Sequence, residues 1–227
     1  SWSSFGMEDN TAKGMLTILN VILFTVPLVS ILFATIYIYN SAEFIELLVS
    51  QPIKRSKIWI SLFISLSLSL IISFLIGSGI PLLINAPDFN GIMMLIIGVL
   101  ITAIFVSLAF FSAIFNRDKA RGIGTSIVIW LFFALIFDGL ILFLLFQFSD
   151  YPIEKPMIFV TSLSPIDLAR IQMLLHLDAS AMMGYTGALF KEYFGNGIGI
   201  VVSLLLLLIW VIIPFVLSLK KFKTKDL

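Results

Sequence analysis

The chain has 227 residues, of which 60% are hydrophobic and 12% are charged, with a formal net charge of +1 and no cysteine. Average soluble domains are about 45–50% apolar and about 25% charged, so a soluble globule of this composition would expose large apolar patches. The composition excludes an ordinary soluble enzyme, a disordered tail and a nucleic-acid-binding protein, and the lack of cysteine excludes disulfides and thiolate metal sites. Continuous apolar runs indicate an all-α polytopic membrane protein and not a membrane β-barrel, which needs alternating residues.

Five segments have the roughly 20 apolar residues that a membrane helix needs. They cover residues 15–39, 58–84, 92–115, 123–148 and 198–219, and we expect the second to break near Gly77, Gly79 and Pro81. The chain starts at Ser1 with no initiator methionine and no signal peptide. We therefore expect one further span upstream and interpret residues 1–227 as a single transmembrane domain from a six-span subunit.

The basic residues are distributed unevenly between the loops. Ten of the 14 lie in alternate loops, and the other loops hold more acids than bases. By the positive-inside rule, the basic loops and the C-terminus are cytoplasmic and the N-terminus is outside. The ten residues are Lys54, Arg55, Lys57, Arg117, Lys119, Arg121, Lys220, Lys221, Lys223 and Lys225.

Residues 40–57, on the predicted cytoplasmic side, have the pattern of a short amphipathic helix followed by a basic cluster. Glu43 suits the first turn of such a helix, and Pro52 ends it because the residue before a proline avoids the α conformation. Two interpretations remain open: a helix held on anionic lipid by basic residues, or a docking element for a cytoplasmic partner. The apolar face comprises Phe44, Leu47 and Leu48, and the basic cluster comprises Lys54, Arg55 and Lys57.

Residues 149–196, on the predicted outer side, are too long for a structureless loop. Ser164 followed by Pro165 and Asp167 is a helix-start signal, and an apolar stripe follows it. A second short helix is expected over residues 186–194. The segment is thus predicted to form a partly buried helical hairpin.

Two features place polar groups inside the predicted spans. Asp138 is the one acid deep in a span, which favours a functional site, although a hydrogen-bonded neutral group or a position near the outer interface would also fit. The second span carries a ladder of Ser61, Ser65, Ser69, Ser73 and Gly77 at intervals of four residues. Such a ladder favours close helix packing, and a polar lining for a translocation path is the alternative.

The sequence offers little catalytic or metal chemistry. It contains no P-loop, no H-E-x-x-H and no G-x-S-x-G motif, and it has one histidine, so we do not expect an enzyme. Met173 and His176, with Met182 and Met183, are soft ligands that suit copper, but their spacing does not define a site and we predict none. Trp2, Tyr37, Tyr39 and Trp59 fit an interfacial aromatic belt.

The segment from Glu43 to Arg55 resembles the coupling-helix region of ABC-2 type transporter permeases. The matching positions are Glu46, Leu47, Leu48, Ser50, Pro52 and Arg55, whereas Phe44 and Ile45 stand where Gly-Thr is usual. The resemblance implies six spans, an external helical hairpin before the last span, a homodimer and two cytoplasmic ATPase subunits that hold ATP and Mg²⁺, with no cofactor on this chain. The residues it implies for ATPase coupling are Glu43, Phe44, Glu46, Leu47, Leu48, Gln51, Pro52, Lys54 and Arg55.

Within that family, Phe137-Asp138 and the segment from Ser164 to Arg170 look like the permeases of nitrous-oxide reductase maturation transporters, except that Ser164 replaces an asparagine. This likeness implies a bacterial inner-membrane complex that supports assembly of copper centres. It also implies an extracytoplasmic β-helical partner, contacted by Ser164, Pro165, Asp167 and Arg170. The alternatives are an exporter of lipid, polysaccharide or drug, and a membrane anchor subunit that transports nothing.

Overall fold

The computed structural model describes residues 2–85, 87–148, 159–176 and 197–224, with the side chains of residues 2–13, 85, 145, 175–176 and 197–198 excepted. These residues form helices and no strand, as an all-α protein requires. The helices are α1 (Trp2–Asn40), α2 (Ala42–Val49), α3 (Arg55–Phe74), α4 (Ile80–Asn85), α5 (Phe89–Phe115), α6 (Lys119–Leu131), α7 (Phe137–Gln147), α8 (Pro165–His176) and α9 (Gly197–Thr224).

Five helical segments are long and apolar enough to cross a membrane, which confirms the predicted spans. They are Gly14–Asn40, Arg55–Ile84, Phe89–Phe115, Lys119–Leu144 and Gly199–Thr224. Two of them contain a π-helical turn: Leu75–Gly79 joins α3 to α4, and Phe132–Ile136 joins α6 to α7. The first of these turns lies where Gly77, Gly79 and Pro81 predict a break. The predicted hairpin helix at residues 186–194 lies outside the described residues.

The third span, α5, is the centre of the bundle. It contacts α1, α3, α6, α8 and α9, and Ile97, Ile101, Ile104 and Phe105 are fully buried in it. Since lipid is as apolar as these side chains, the helices are also joined by hydrogen bonds and close approaches. The Ser107 hydroxyl donates to the Val211 carbonyl at 2.7 Å and so joins α5 to α9.

Gly122 marks the closest approach between α1 and α6. A Cβ at this position would overlap the ring and hydroxyl of Tyr39. One turn further along, the hydroxyls of Thr35 and Ser126 lie 2.7 Å apart in the buried interface between the same helices. The first and fourth spans therefore pack through small and hydroxylated residues.

The bundle has two ends that differ in charge. The α2 end contains α2, the end of α1, the start of α3, the α5–α6 turn and the end of α9. It gathers the described basic residues of all three predicted cytoplasmic segments. The α8 end lies near the N-terminal half of the first span and contains α8 and α7. Among the described side chains, Arg170 is the one basic residue at the α8 end.

Candidate functional site

The helix α2 is short because its flanking residues stop it on both sides. Glu43 lies in its first turn, where a carboxylate complements the helix dipole. Ser41 occupies the N-cap position, but its side chain makes no capping hydrogen bond. At the other end the Ser50 hydroxyl, two residues before Pro52, donates to the Leu47 carbonyl at 2.7 Å.

The apolar side chains of α2 point in two directions. Ile45 is 5% exposed and anchors the helix to the bundle, with Leu48 half-buried beside it. Phe44 and Leu47 point away and are 57% and 64% exposed. The sequence pattern grouped Leu48 with Phe44 and Leu47 on one face. In the structure Leu48 is half-buried, and Val49 is the residue that packs with Ile45 against the core. Two large apolar side chains therefore remain uncovered on α2.

The residues that the coupling-helix resemblance singles out share one exposed surface at the α2 end. Glu43, Phe44, Glu46, Leu47, Gln51, Pro52 and Lys54 are exposed, and Leu48 and Arg55 are half-buried. This surface, which we call the α2 surface, combines two apolar side chains with acidic and basic neighbours. Aromatic and aliphatic anchors within a polar rim are typical of protein–protein interfaces.

A cavity of about 350 Å³ lies between α2 and the bundle. Glu46 and Arg117 contribute charged side chains to its wall, and Ile45, Trp59 and Phe222 contribute apolar ones. The cavity is bounded by α2 on one side and by residues of α1, α3, α5 and α9 on the other.

Those lining residues are tightly connected to one another. Trp59 is 2% exposed, its ring stacks on Phe222 at 4.3 Å, and it meets Phe110 edge-to-face at 4.8 Å. Its Nε1 donates to the Ser218 hydroxyl at 2.9 Å. The prediction that Trp59 belongs to an interfacial belt is therefore wrong, since it joins α3, α5 and α9 in the interior. Tyr39, half-buried, donates to the Asn116 carbonyl at 3.0 Å.

The serines of the ladder in the second span are exposed. Ser61, Ser65, Ser69 and Ser73 are not covered by any other helix in the part of the chain that the structure describes. The Ser73 hydroxyl donates to the Ser69 carbonyl at 2.9 Å, which satisfies it within its own helix. Ser73 also borders a cavity of about 190 Å³ shared with Thr25, Ser30, Ser78 and Thr102.

At the opposite end of the bundle, α8 is sunk between its neighbours. It packs against α1, α5, α9 and the π-helical turn Phe132–Ile136. Its backbone starts as the sequence indicates, with the Ser164 hydroxyl accepting from the Asp167 backbone N–H at 3.3 Å. Ile166, Leu168 and Met173 are at most 2% exposed.

A charged cluster ties α8 to the fourth span. Arg170 Nη1 donates to both carboxylate oxygens of Asp138, at 2.8 and 2.7 Å, and lies 3.4 Å from Asp167 Oδ1. The Asp138 and Arg170 side chains are 41% and 27% exposed, whereas the Asp167 residue is 4% exposed. Burial raises the pKa of Asp167 from 3.8 to about 7; the negative charge of Asp138 adds to this rise, whereas Ser164 and Arg170 oppose it.

The exposed side of this cluster opens into a cleft of about 570 Å³, which we call the α8 cleft. Asn20, Thr17 and Thr25 of α1 contribute polar groups, and Asp138 and Arg170 contribute charges. Charged groups in membrane spans almost always face the bundle interior or a water-filled cavity. Asp138 faces such a cavity, the α8 cleft.

The residues proposed for contact with an external protein are directed into the bundle. Ser164, Pro165 and Asp167 are buried, and Arg170 is turned towards Asp138. Met173 is 0% exposed, the side chain of His176 is not described, and Met182 and Met183 lie outside the described residues. Among the described residues, no group of three or more His, Cys, Asp or Glu side chains is placed to hold a metal ion.

Comparison with known proteins identifies the family of the chain. Residues 5–227 match the family described as ABC-2 family transporter protein. Over 173 residues the chain is 27% identical to the protein named "Probable ABC transporter permease protein NosY" from Pseudomonas aeruginosa. That alignment covers 71% of this chain and 63% of the relative. Because the family match extends over nearly the whole chain, this protein is a multi-pass membrane protein that belongs to the ABC-2 transporter family.

Proposed function

We propose that this chain is the membrane-spanning permease subunit that couples ATP hydrolysis, carried out by two separate cytoplasmic ATPase subunits, to an event on the other side of a bacterial inner membrane. In this arrangement ATP and Mg²⁺ bind to the ATPase subunits and no cofactor binds to this chain. The α2 end, with the C-terminus, faces the cytoplasm. The observation that carries the proposal is the α2 surface, where Phe44 and Leu47 are exposed on a helix whose one fully buried side chain is Ile45.

The physical argument concerns what covers these side chains. Large apolar groups that are uncovered at the basic end of a membrane bundle favour contact with a protein or with lipid. The acidic side chains Glu43 and Glu46 beside them oppose insertion into an anionic leaflet. A protein partner with an apolar groove and basic rim is complementary to the same surface. The family to which the chain belongs supports an ATPase as that partner.

The proposal predicts that Phe44→Ala weakens binding of the ATPase subunits to the permease. Truncation of a central aromatic anchor costs on the order of 2 kcal/mol, or about thirtyfold in Kd. Phe115→Ala is the matched control, because Phe115 is also 57% exposed and lies at the same end of the bundle. Binding is measured with permease in nanodiscs and purified ATPase. Equal Kd values for Phe44→Ala and the unaltered protein would contradict the proposal.

Charge reversal at Glu46 gives a second test of coupling. Glu46 belongs to the α2 surface and lines the cavity beneath α2, so Glu46→Arg changes both the contact and its support. We expect the ATPase activity that the permease stimulates to fall towards the rate of the isolated ATPase. Unchanged stimulated activity in the purified complex would count against a coupling role for this helix.

We propose further that the complex acts in maturation of the copper centres of nitrous-oxide reductase, together with an extracytoplasmic β-helical protein. The support is the Phe137-Asp138 pair, the segment from Ser164 to Arg170 and the 27% identity to a NosY permease. The copper in this proposal belongs to the reductase and not to this chain. Affinity purification of the intact membrane complex, followed by identification of its soluble partners, tests it. Recovery of an ATPase without a β-helical protein would favour export of lipid, polysaccharide or drug, and recovery of neither would favour a membrane anchor.

A second copy of the chain is also part of the proposed complex. The exposed ladder of Ser61, Ser65 and Ser69 supports this, because small residues let helices from two chains approach closely. The chain has no cysteine, so Ser65→Cys introduces a single thiol. We expect oxidation to give a covalent dimer from Ser65→Cys and not from Phe146→Cys, an 80% exposed position on α7. Equal dimer yields from both variants would contradict a specific contact at the ladder.

A further inference from the structure

The buried polar groups that lack a partner are concentrated on α8. Four side-chain N or O atoms among the described residues are buried without a hydrogen-bond partner, and three of these are Asp167 Oδ2, Arg170 Nε and Gln172 Nε2. Such groups are costly to bury, and this cost is removed when the group reaches water or a new partner. The observed position of α8 thus leaves its polar groups less well satisfied than those of the surrounding helices.

The net charge of the cluster that α8 forms with the fourth span depends on one proton. Asp138, Arg170 and Asp167 comprise two carboxyls and one guanidinium, so the cluster is neutral when one carboxyl is protonated and carries a charge of −1 when both are ionised. Asp138 is partly exposed to the α8 cleft and already accepts two hydrogen bonds from Arg170. Asp167 is buried and has an unpartnered oxygen, so the uncompensated charge falls on Asp167.

No other described titratable side chain faces Asp167. From α7 it meets Asp138, and on its own helix it meets Arg170. The cleft wall formed by α1 contributes the uncharged groups Thr17, Asn20 and Thr25. α5 contains no titratable residue, and the lysines of α9 lie at the α2 end. From α9, Ser203 donates to the side-chain oxygen of Gln172.

We propose that Asp138, Arg170 and Asp167 form a proton-responsive latch, which holds α8 against the fourth span while one of the two carboxyls is protonated and releases it when both are ionised. The proposal for α8 itself starts from the ion pairs and the unpartnered buried atoms and does not depend on the proposed function. The role of the latch in regulating the transporter by the pH on the α8 side of the membrane rests on the proposed function.

The direction of the pH effect follows from the pKa of Asp167. The buried carboxyl has a pKa raised from 3.8 to about 7, so the closed arrangement holds its proton more tightly than an open one in which Asp167 reaches water. The contribution of this proton to the closed arrangement is complete below about pH 4 and is lost as the pH rises to about 7. The latch is therefore closed in acid and opens with alkalinity.

The test measures access to Ile166, which is 1% exposed on α8 and borders the α8 cleft. Ile166→Cys supplies the single thiol of an otherwise cysteine-free chain. The full-length protein in nanodiscs is reacted with a hydrophilic maleimide at pH 6 and pH 8. Rates are divided by those of Phe159→Cys, a 66% exposed position, to remove the pH dependence of thiolate formation. The ionised fraction of a group with a pKa near 7 rises about tenfold over this range, and we expect the normalised rate to rise by up to about that factor.

Two variants distinguish the latch from general loosening of the helix. Asp167→Asn keeps the shape and removes the titration, so the normalised rate should stay low at both pH values. Asp138→Asn removes the ionic tie to the fourth span, so the rate at pH 6 should reach the value that the unaltered background shows at pH 8. A rate that does not change with pH, or the same pH-dependent rise in Asp167→Asn, would overturn the proposal.

The outcome is independent of the proposed function, because labelling needs neither nucleotide nor ATPase. If labelling follows the prediction while Asp167→Asn leaves the pH profile of stimulated ATPase activity unchanged, the latch stands and its regulatory role fails. If Phe44→Ala leaves ATPase binding unchanged, the proposed coupling fails and the labelling result is unaffected.

Discussion

Trp59 connects the α2 end to the membrane bundle, and its replacement by phenylalanine is expected to destabilise the permease. The change removes the hydrogen bond from Nε1 to the Ser218 hydroxyl, which is worth about 1 kcal/mol. It also removes part of a ring that is 2% exposed and stacked on Phe222, which leaves a cavity and costs about 1–2 kcal/mol more. The total is about 2–3 kcal/mol.

The assay is thermal unfolding of the purified permease. The folded fraction that remains after heating to each temperature is measured by size-exclusion chromatography. For a chain of this size 1 kcal/mol corresponds to about 2–4 °C, so Trp59→Phe should lower the midpoint by roughly 5–10 °C. Ser218→Ala removes the same hydrogen bond without altering the ring, and it should cost about 1 kcal/mol. The double variant should be destabilised by less than the sum of the two single variants, because the hydrogen bond is lost only once.

The contradicting results are specific. A midpoint for Trp59→Phe within 1–2 °C of the unaltered protein, which is about 0.5 kcal/mol, would mean that the indole carries little of the connection between α3, α5 and α9. Fully additive effects of Trp59→Phe and Ser218→Ala would mean that the two side chains are not coupled. Either result would show that Trp59 does not take part in the proposed coupling between α2 and the spans.

Two further predictions concern the interface between the first and fourth spans. Gly122→Ala should cost about 1–3 kcal/mol, because its Cβ overlaps Tyr39, whereas Gly124→Ala, with open space around it, should be neutral or slightly stabilising in the same thermal assay. Equal midpoints for the two variants would contradict the close approach. Thr35→Val and Ser126→Ala should show a coupling energy of about 0.6 kcal/mol in a double-mutant cycle, the average for hydrogen bonds between membrane helices, and a coupling of zero would contradict the buried contact.

The spans and the short helix at the α2 end could be predicted because each depends on local signals. Runs of about 20 apolar residues fix a membrane helix, and Pro52 fixes where α2 ends. The predicted break in the second span is not present, since the helix continues through a π-helical turn at Leu75–Gly79, although Gly77 and Gly79 did mark the position of this irregularity. The sequence did not predict how far each side chain of α2 is covered. Phe44, Leu47 and Leu48 lie within one helical arc, and only tertiary contacts leave Leu48 half-buried while Phe44 and Leu47 are exposed.

The ion pair between Asp138 and Arg170 at the α8 end could not be predicted from the sequence. Asp138 was a candidate because an acid within a span is expensive, and Arg170 was a candidate because of its motif. Nothing in the spacing of 32 residues between them indicates an ion pair, since contacts between positions so far apart in the sequence depend on tertiary packing. The resemblance assigned Arg170 and Asp167 to contact with an external partner, whereas the structure shows that they hold α8 within the bundle. Such a contact remains a prediction and would require α8 to move.

The most direct test of the account is a cross-link from the α2 surface to an ATPase subunit. Leu47→Cys, 64% exposed on α2, supplies a single thiol for a short photoactivatable cross-linker, and Phe159→Cys, 66% exposed near α8, is the matched control. After purification of the complex and illumination, the account predicts a covalent product of Leu47→Cys with the nucleotide-binding subunit and none from Phe159→Cys. Absence of that product, or equal yields from both positions, would contradict the assignment of α2 as the coupling element.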